Sequence, residues 1–125
     1  MTTDVEPSAH ARELVRSAYD LHVHVAPDVM TRRIDDVTLA ERFLELGLSG
    51  FALKSHYTST AERAQVVERA VAGIDVVGTL TLNAAVGGLN PLAVEIAARE
   101  EARMFCDELV AEGSVSPLHH QAIAA

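Results

Sequence analysis

Apolar positions along this chain switch repeatedly between a helical period and a strand period, and the switches outline successive helix and strand units. Ser8 stands where it can cap a helix whose apolar positions Ala11, Leu14, Val15 and Ala18 follow an i, i+3, i+4, i+7 stripe, which predicts a brief covering helix. From Tyr19 to Ala26 the pattern becomes period two, with Leu21, Val23 and Val25 on one face and Asp20, His22 and His24 on the other. A first strand is expected there. Asp35 or Asp36 then caps a helix with the stripe Leu39, Ala40, Phe43 and Leu44, and Gly47 is suited to its C-terminal end.

Phe51, Leu53 and Ser55 alternate with Ala52, Lys54 and His56 in a second strand, followed by a Ser59-x-x-Glu62 capping box that opens a helix bearing Ala64, Val67 and Val71. A third strand begins at Asp75, where Val76, Gly78, Leu80 and Leu82 alternate with Val77, Thr79, Thr81 and Asn83 before a turn at Gly87 and Gly88. Asn90 and Pro91 fit the N-cap and first position of a last helix, expected to run through much of Leu92 to Glu112. The stretch holding Gly113, Pro117, His119 and His120 reads as a mobile tail. Three strand and helix units in succession call for right-handed crossovers and a parallel sheet, so the fold class is α/β in a single domain, residues 1–125.

The polar parity of each strand changes the picture from scaffold to chemistry. Asp20, His22 and His24, then Lys54 and His56, then Thr79, Thr81 and Asn83 are expected on one sheet face, with His24, His56 and Asn83 at the carboxyl ends where parallel sheets gather reactive groups. An i, i+2 spacing in a strand points two imidazoles to the same side, so His22 and His24 can chelate one divalent ion, zinc or manganese. Such an ion acidifies water for attack on a carbonyl or phosphoryl centre, which makes hydrolysis of a small polar substrate the natural outcome. His56 completes the ligand set, Asp28 adds a carboxylate from the following loop, Lys54 polarises the substrate or binds its negative charge, and Asn83 contacts the substrate. Arg32 and Arg33 read as surface charges beside Asp35 and Asp36, His10 as a helix-surface residue, and the Gly87-Gly88 turn as a plain turn without the glycine spacing of nucleotide fingerprints.

Composition narrows the classes. Of 125 residues, 49% are hydrophobic and 22% charged, near the globular average, so the chain is expected to fold. Ten basic against eighteen acidic residues give a formal charge of -8, which repels nucleic acid phosphates and anionic membranes. The lone Cys106 cannot form an intramolecular disulfide, and neither a signal-like leader nor an uninterrupted membrane-length apolar run is visible. A cytoplasmic location is expected.

Asp20-Leu21-His22-Val23-His24, with Lys54-Ser55-His56 some thirty residues later, resembles the opening of the metallo-dependent hydrolase superfamily, which includes amidohydrolases and the PHP phosphoesterases. Stretches around 20–28, 51–60 and 82–91 look like an uncharacterised amidohydrolase-like branch, and the resemblance covers about residues 19–104. It implies the N-terminal part of a TIM-like (β/α)8 barrel holding one to three divalent ions, with His22 and His24 in its first metal motif and His56 closest to the second PHP motif. Ala102 to Phe105 look like the start of a fourth strand in that family, but the helix-like sequence from Cys106 onward departs from it. The barrel is therefore expected to be incomplete, and the chain alone to show little or no hydrolytic activity. An open first-strand edge points to self-association, so a non-catalytic module that binds itself or a partner is the alternative reading.

Overall fold

The computed structural model describes residues 6–106. Its elements run α1 (Ala9–Leu14), β1 (Tyr19–Val23), α2 (Asp36–Glu45), β2 (Gly50–Leu53), α3 (Ala61–Ala70), β3 (Asp75–Thr81), a 3-10 turn (Ala84–Val86), α4 (Pro91–Arg99) and β4 (Met104–Cys106). The four strands form one parallel sheet in the order β1-β2-β3-β4, curled into a half-barrel. The α/β class and its parallel βα units are thus as the alternation predicts. Among the described residues no helix is long and apolar enough to cross a membrane.

Local chemistry explains most boundaries. Ser8, Asp35 and Asn90 each accept a hydrogen bond from a first-turn N–H, at Ala11, Thr38 and Ala93, and Pro91 opens α4. Gly47, at φ 77°, closes α2 with the Leu48 N–H on the Phe43 carbonyl and its own N–H on that of Leu44. The helical stripes then bury Ala40 and Phe43 from α2 and Ala64 and Val67 from α3 against Phe51, Leu53 and Val76 of the sheet. Phe43 and Phe51 meet edge to face, with centroids 5.3 Å apart.

Four expectations need correction. First, the last helix stops at Arg99, because Glu101 adopts φ 68° and the Ala102 and Glu101 N–H groups cap the carbonyls of Ala97 and Ala98, a helix ending normally signalled by glycine. The chain then enters β4, a fourth strand in register with β3 through Thr79↔Met104 and Thr81↔Cys106, where the pattern reading stops at three. The predicted tail with Gly113, Pro117, His119 and His120, and the helix from 107 to 112, lie outside the described residues. Second, α1 buries none of its residues; Leu14 and Val15 are exposed.

Third, a bulge breaks the alternation of β1: Asp20 pairs with Phe51 and Val23 with Leu53, three steps on one strand against two on the other. Paired residues of a parallel ladder share a face, so Asp20 is separated from His22 and His24, and Leu21 is exposed instead of lying under the helices. The His22 N–H closes the bulge on the Asp20 carboxylate at 3.0 Å.

Fourth, no Ser59–Glu62 capping box forms. The N-cap of α3 is Thr60, whose side chain makes no cap bond, while Ser59 accepts from Ala61 two residues on. Thr60 is wholly buried and continues the β2 ladder where β2 itself has ended: its N–H donates to the Thr79 carbonyl at 2.9 Å, its Oγ1 accepts the Thr79 N–H at 2.8 Å, and that hydroxyl donates to the Leu53 carbonyl. Replacing Thr60 by the isosteric valine strands these buried groups and is expected to cost about 2 kcal/mol in urea unfolding, against a few tenths for the neighbouring Ser59→Ala. Equal small effects would remove Thr60 from this role.

Candidate functional site

Because Thr60 takes over the pairing with β3, the segment after Leu53 parts from β3 and stays with the first strand, where the Lys54 N–H donates to the Val23 carbonyl at 2.9 Å. This carries Lys54 and His56 to the carboxyl end of β1. His22 and His24 meet there with their Nε2 atoms 3.1 Å apart, and the His56 ring lies on the His24 ring at a centroid distance of 4.4 Å and 12° between planes. The three histidines singled out in the sequence therefore form one cluster. Asn83, also buried, donates its side-chain amide to the His56 carbonyl at 3.2 Å, so the turn after β3 holds the backbone that carries His56.

Asp28 and Arg32 flank this cluster. The Arg32 Nε donates to Asp28 Oδ2 at 2.6 Å, and the Val29 N–H to the other oxygen at 2.7 Å. Burial pushes the Asp28 carboxyl up, but the Arg32 and Val29 hydrogen bonds and the charges of Arg32 and His24 together pull harder, and its pKa lies below the usual carboxylate value. Asp28 therefore stays ionised at neutral pH, which suits it to orient and stabilise a cationic neighbour better than to accept a proton. Arg32 is not the surface charge expected, since its side chain is only 19% exposed on top of this carboxylate. Asp28 also lines an open cleft of about 350 Å³ with Pro27, Val29, Ser55, Tyr57 and Thr58, residues that flank His56 in the sequence but do not include a histidine.

Lys54, expected at the open site, is only 5% exposed. Charge buried to that degree demands compensation inside the protein. The polar face is consequently no empty wall, because Thr79, Thr81 and Asn83 are buried with it, and the Thr81 hydroxyl has no hydrogen-bond partner among the described residues. A second interaction escaped the pattern reading altogether. Arg63 on α3 pairs with Asp36 at 2.5 Å and donates to the Val25 carbonyl at 3.1 Å, tying the start of α2 and the chain just beyond His24 to one helix. Arg63 sits in a polar run of an amphipathic helix, and nothing local in the sequence sets it apart from the other exposed arginines.

The donor set admits a direct test of fit for a divalent ion. Two nitrogens bonded to one tetrahedral ion at about 2.0 Å stand about 3.3 Å apart, close to the 3.1 Å between the Nε2 atoms of His22 and His24. The same distance suits an N–H···N hydrogen bond between the two rings, so metal and proton compete for one position. Among the described residues no three of His, Cys, Asp and Glu surround a common point at bonding distance. The stacking of His56 accounts for this, because the in-plane lone pairs of two nearly parallel rings do not converge. The pair His22 and His24 fits an ion as a two-nitrogen chelate, with His56 packed behind it.

No curated protein and no solved structure matches the chain. Residues 17–115, which hold the four described strands and all of the candidate site, match a family described as a family of unknown function (DUF6282), and the chain belongs to that family.

Proposed function

We propose that the chain supplies the metal-binding first part of a hydrolytic site, in which His22 and His24 hold a zinc or manganese ion at the carboxyl end of the sheet and a small polar substrate lies in the adjoining cleft. The 3.1 Å separation of the two Nε2 atoms carries this reading. It is supported by the resemblance of Asp20 to His24 and Lys54 to His56 to the opening of metallo-dependent hydrolases, whose complete fold is a TIM-like barrel. A divalent ion there supplies Lewis-acid polarisation of a carbonyl or phosphoryl oxygen and acidifies water.

The protein's own groups divide the remaining work. Asp28, ionised and adjacent, adds negative charge beside the neutral His24 ligand, which favours a bound cation, and keeps the loop closed through Arg32. His56 stacks on His24 and restricts its rotation, and Asn83 fixes His56 from the next strand end at the border of the substrate cleft. Lys54 presents a positive charge from within the sheet for an anionic group of the substrate or for charge that develops on it.

Equilibrium dialysis against zinc or manganese tests the proposal. About one ion per chain is expected, and His22→Ala with His24→Ala is expected to lower the affinity at least about a hundredfold while leaving the circular dichroism unchanged, since neither ring belongs to the apolar core. Absence of binding, or equal binding by the double variant, overturns the assignment. A panel of amides, lactones and phosphoesters then addresses hydrolysis: turnover that needs the ion and vanishes in His22→Ala supports catalysis, whereas turnover indifferent to that substitution belongs to a contaminant.

A further inference from the structure

Among the described residues β1 is hydrogen-bonded only to β2, and β4 only to β3, so both margins of the sheet present unpaired backbone. Each margin also carries an exposed large apolar side chain. Leu21 of β1 is 58% exposed with Val15 beside it, and Phe105 of β4 is 43% exposed. Along β1 runs a shallow cleft of about 620 Å³ lined by Asp20 and by Val15, Tyr19, Leu21, Phe43 and Leu48. The two margins stand at opposite ends of the strand order, so neither can cover the other within one chain.

Strand count and direction specify the occupant. Four parallel strands that curl are half of eight, the number at which a barrel closes with its interior just filled by side chains. A twofold axis along the strands preserves strand direction and brings β4 of one copy against β1 of the other at two equivalent joints. No edge is then left over. A foreign strand added to one margin would leave the second exposed, whereas a second copy satisfies both. We infer that two copies of this chain associate edge to edge about such an axis, β4 of each beside β1 of the other, into a closed eight-stranded parallel barrel. Closure puts the polar face of each copy opposite that of its partner, so each histidine cluster gains the facing wall that one sheet cannot provide. The inference rests on the margins alone and is independent of metal binding.

Sedimentation equilibrium of the full chain in chelator tests it. The wild-type chain is expected at twice its mass of 13.4 kDa. Leu21→Lys and Phe105→Glu each place a charge at both joints of a homodimer and are expected to sediment as single chains, with unchanged circular dichroism because both positions are exposed. Mixed one to one, they are expected to recover the double mass, since one joint is then wild type and the other sets the introduced lysine against the introduced glutamate. A monomeric wild type, as when residues after Cys106 cover the edge of β4, overturns the inference. So does dimerisation of either variant alone, or a mixture that stays monomeric.

Discussion

Gly50→Ala is expected to lower stability by more than about 3 kcal/mol, or to leave no folded protein, although it adds a single methyl group. Gly50 opens β2 between β1 and β3, paired with Tyr19 on one side and Asp75 on the other. A Cβ at this position would overlap the Asp75 carbonyl oxygen and stand 2.7 Å from Cε1 of Tyr19. The Tyr19 ring crosses the glycine so that its hydroxyl can donate to the Asp75 carboxylate at 2.6 Å, and Arg103 pairs with the same carboxylate. Three strand starts and β4 are therefore drawn together over a residue without a side chain. A flexible ring can move aside, but a backbone carbonyl in a central ladder cannot, so trimming Tyr19 does not rescue the variant. Urea unfolding is the measurement, and an alanine variant within about 1 kcal/mol of wild type would show that β1 and β3 do not close on β2 in this register.

Phe51→Ala is expected to cost about 3–5 kcal/mol and to lower the melting temperature by about 12–20 °C. Phe51 is fully buried, and its ring meets Phe43 of α2 edge to face while packing in the cluster that includes Val67 of α3 and Val76 of β3. Its removal leaves a void shared by both helices and two strands, which no single neighbour can refill. Val66→Ala is the internal control, because Val66 is 66% exposed on α3 and its loss is expected to cost under about 1 kcal/mol. Similar losses from Phe51 and Val66 would place the core elsewhere.

The features visible in the sequence are those in which one residue makes the local bond that its type favours. Ser8, Asp35, Asn90, Pro91 and Gly47 each occupy the cap position that their chemistry suggests, and the stripes Ala40-Phe43 and Ala64-Val67 face the sheet. The three histidines also meet, because the parallel direction of β1 and β2 brings the chain beyond both strands to one sheet end, although His24 and His56 lie past the strands whose parity suggested it.

Features that depend on long-range pairing stay hidden. The β1 bulge is a mismatch of three residues against two on a neighbouring strand, and no local pattern in Asp20 to Val23 marks it. Thr60 reads as one of several polar residues before a helix, yet its hydroxyl serves the β2–β3 ladder across nineteen positions of sequence. Glu101 ends α4 in a conformation that usually belongs to glycine, so the periodic pattern runs past it. Arg32 reads as a surface charge and Arg63 draws no reading at all, because burial of an arginine is decided by a carboxylate, Asp28 or Asp36, that the fold brings to it. Lys54 likewise alternates as a site residue should, but alternation says nothing of how deeply the polar face is packed.

Metal binding at the sheet end requires an ion to take the place between the His22 and His24 rings. Long-range proton–nitrogen spectra of the imidazoles, recorded while zinc is added to the full chain, report each ring nitrogen separately. The expected result is that the Nε2 resonances of His22 and His24 move together and saturate at about one ion per chain, while those of His10, His119 and His120 stay in place. Movement of His119 and His120 with His22 and His24 unchanged would contradict it.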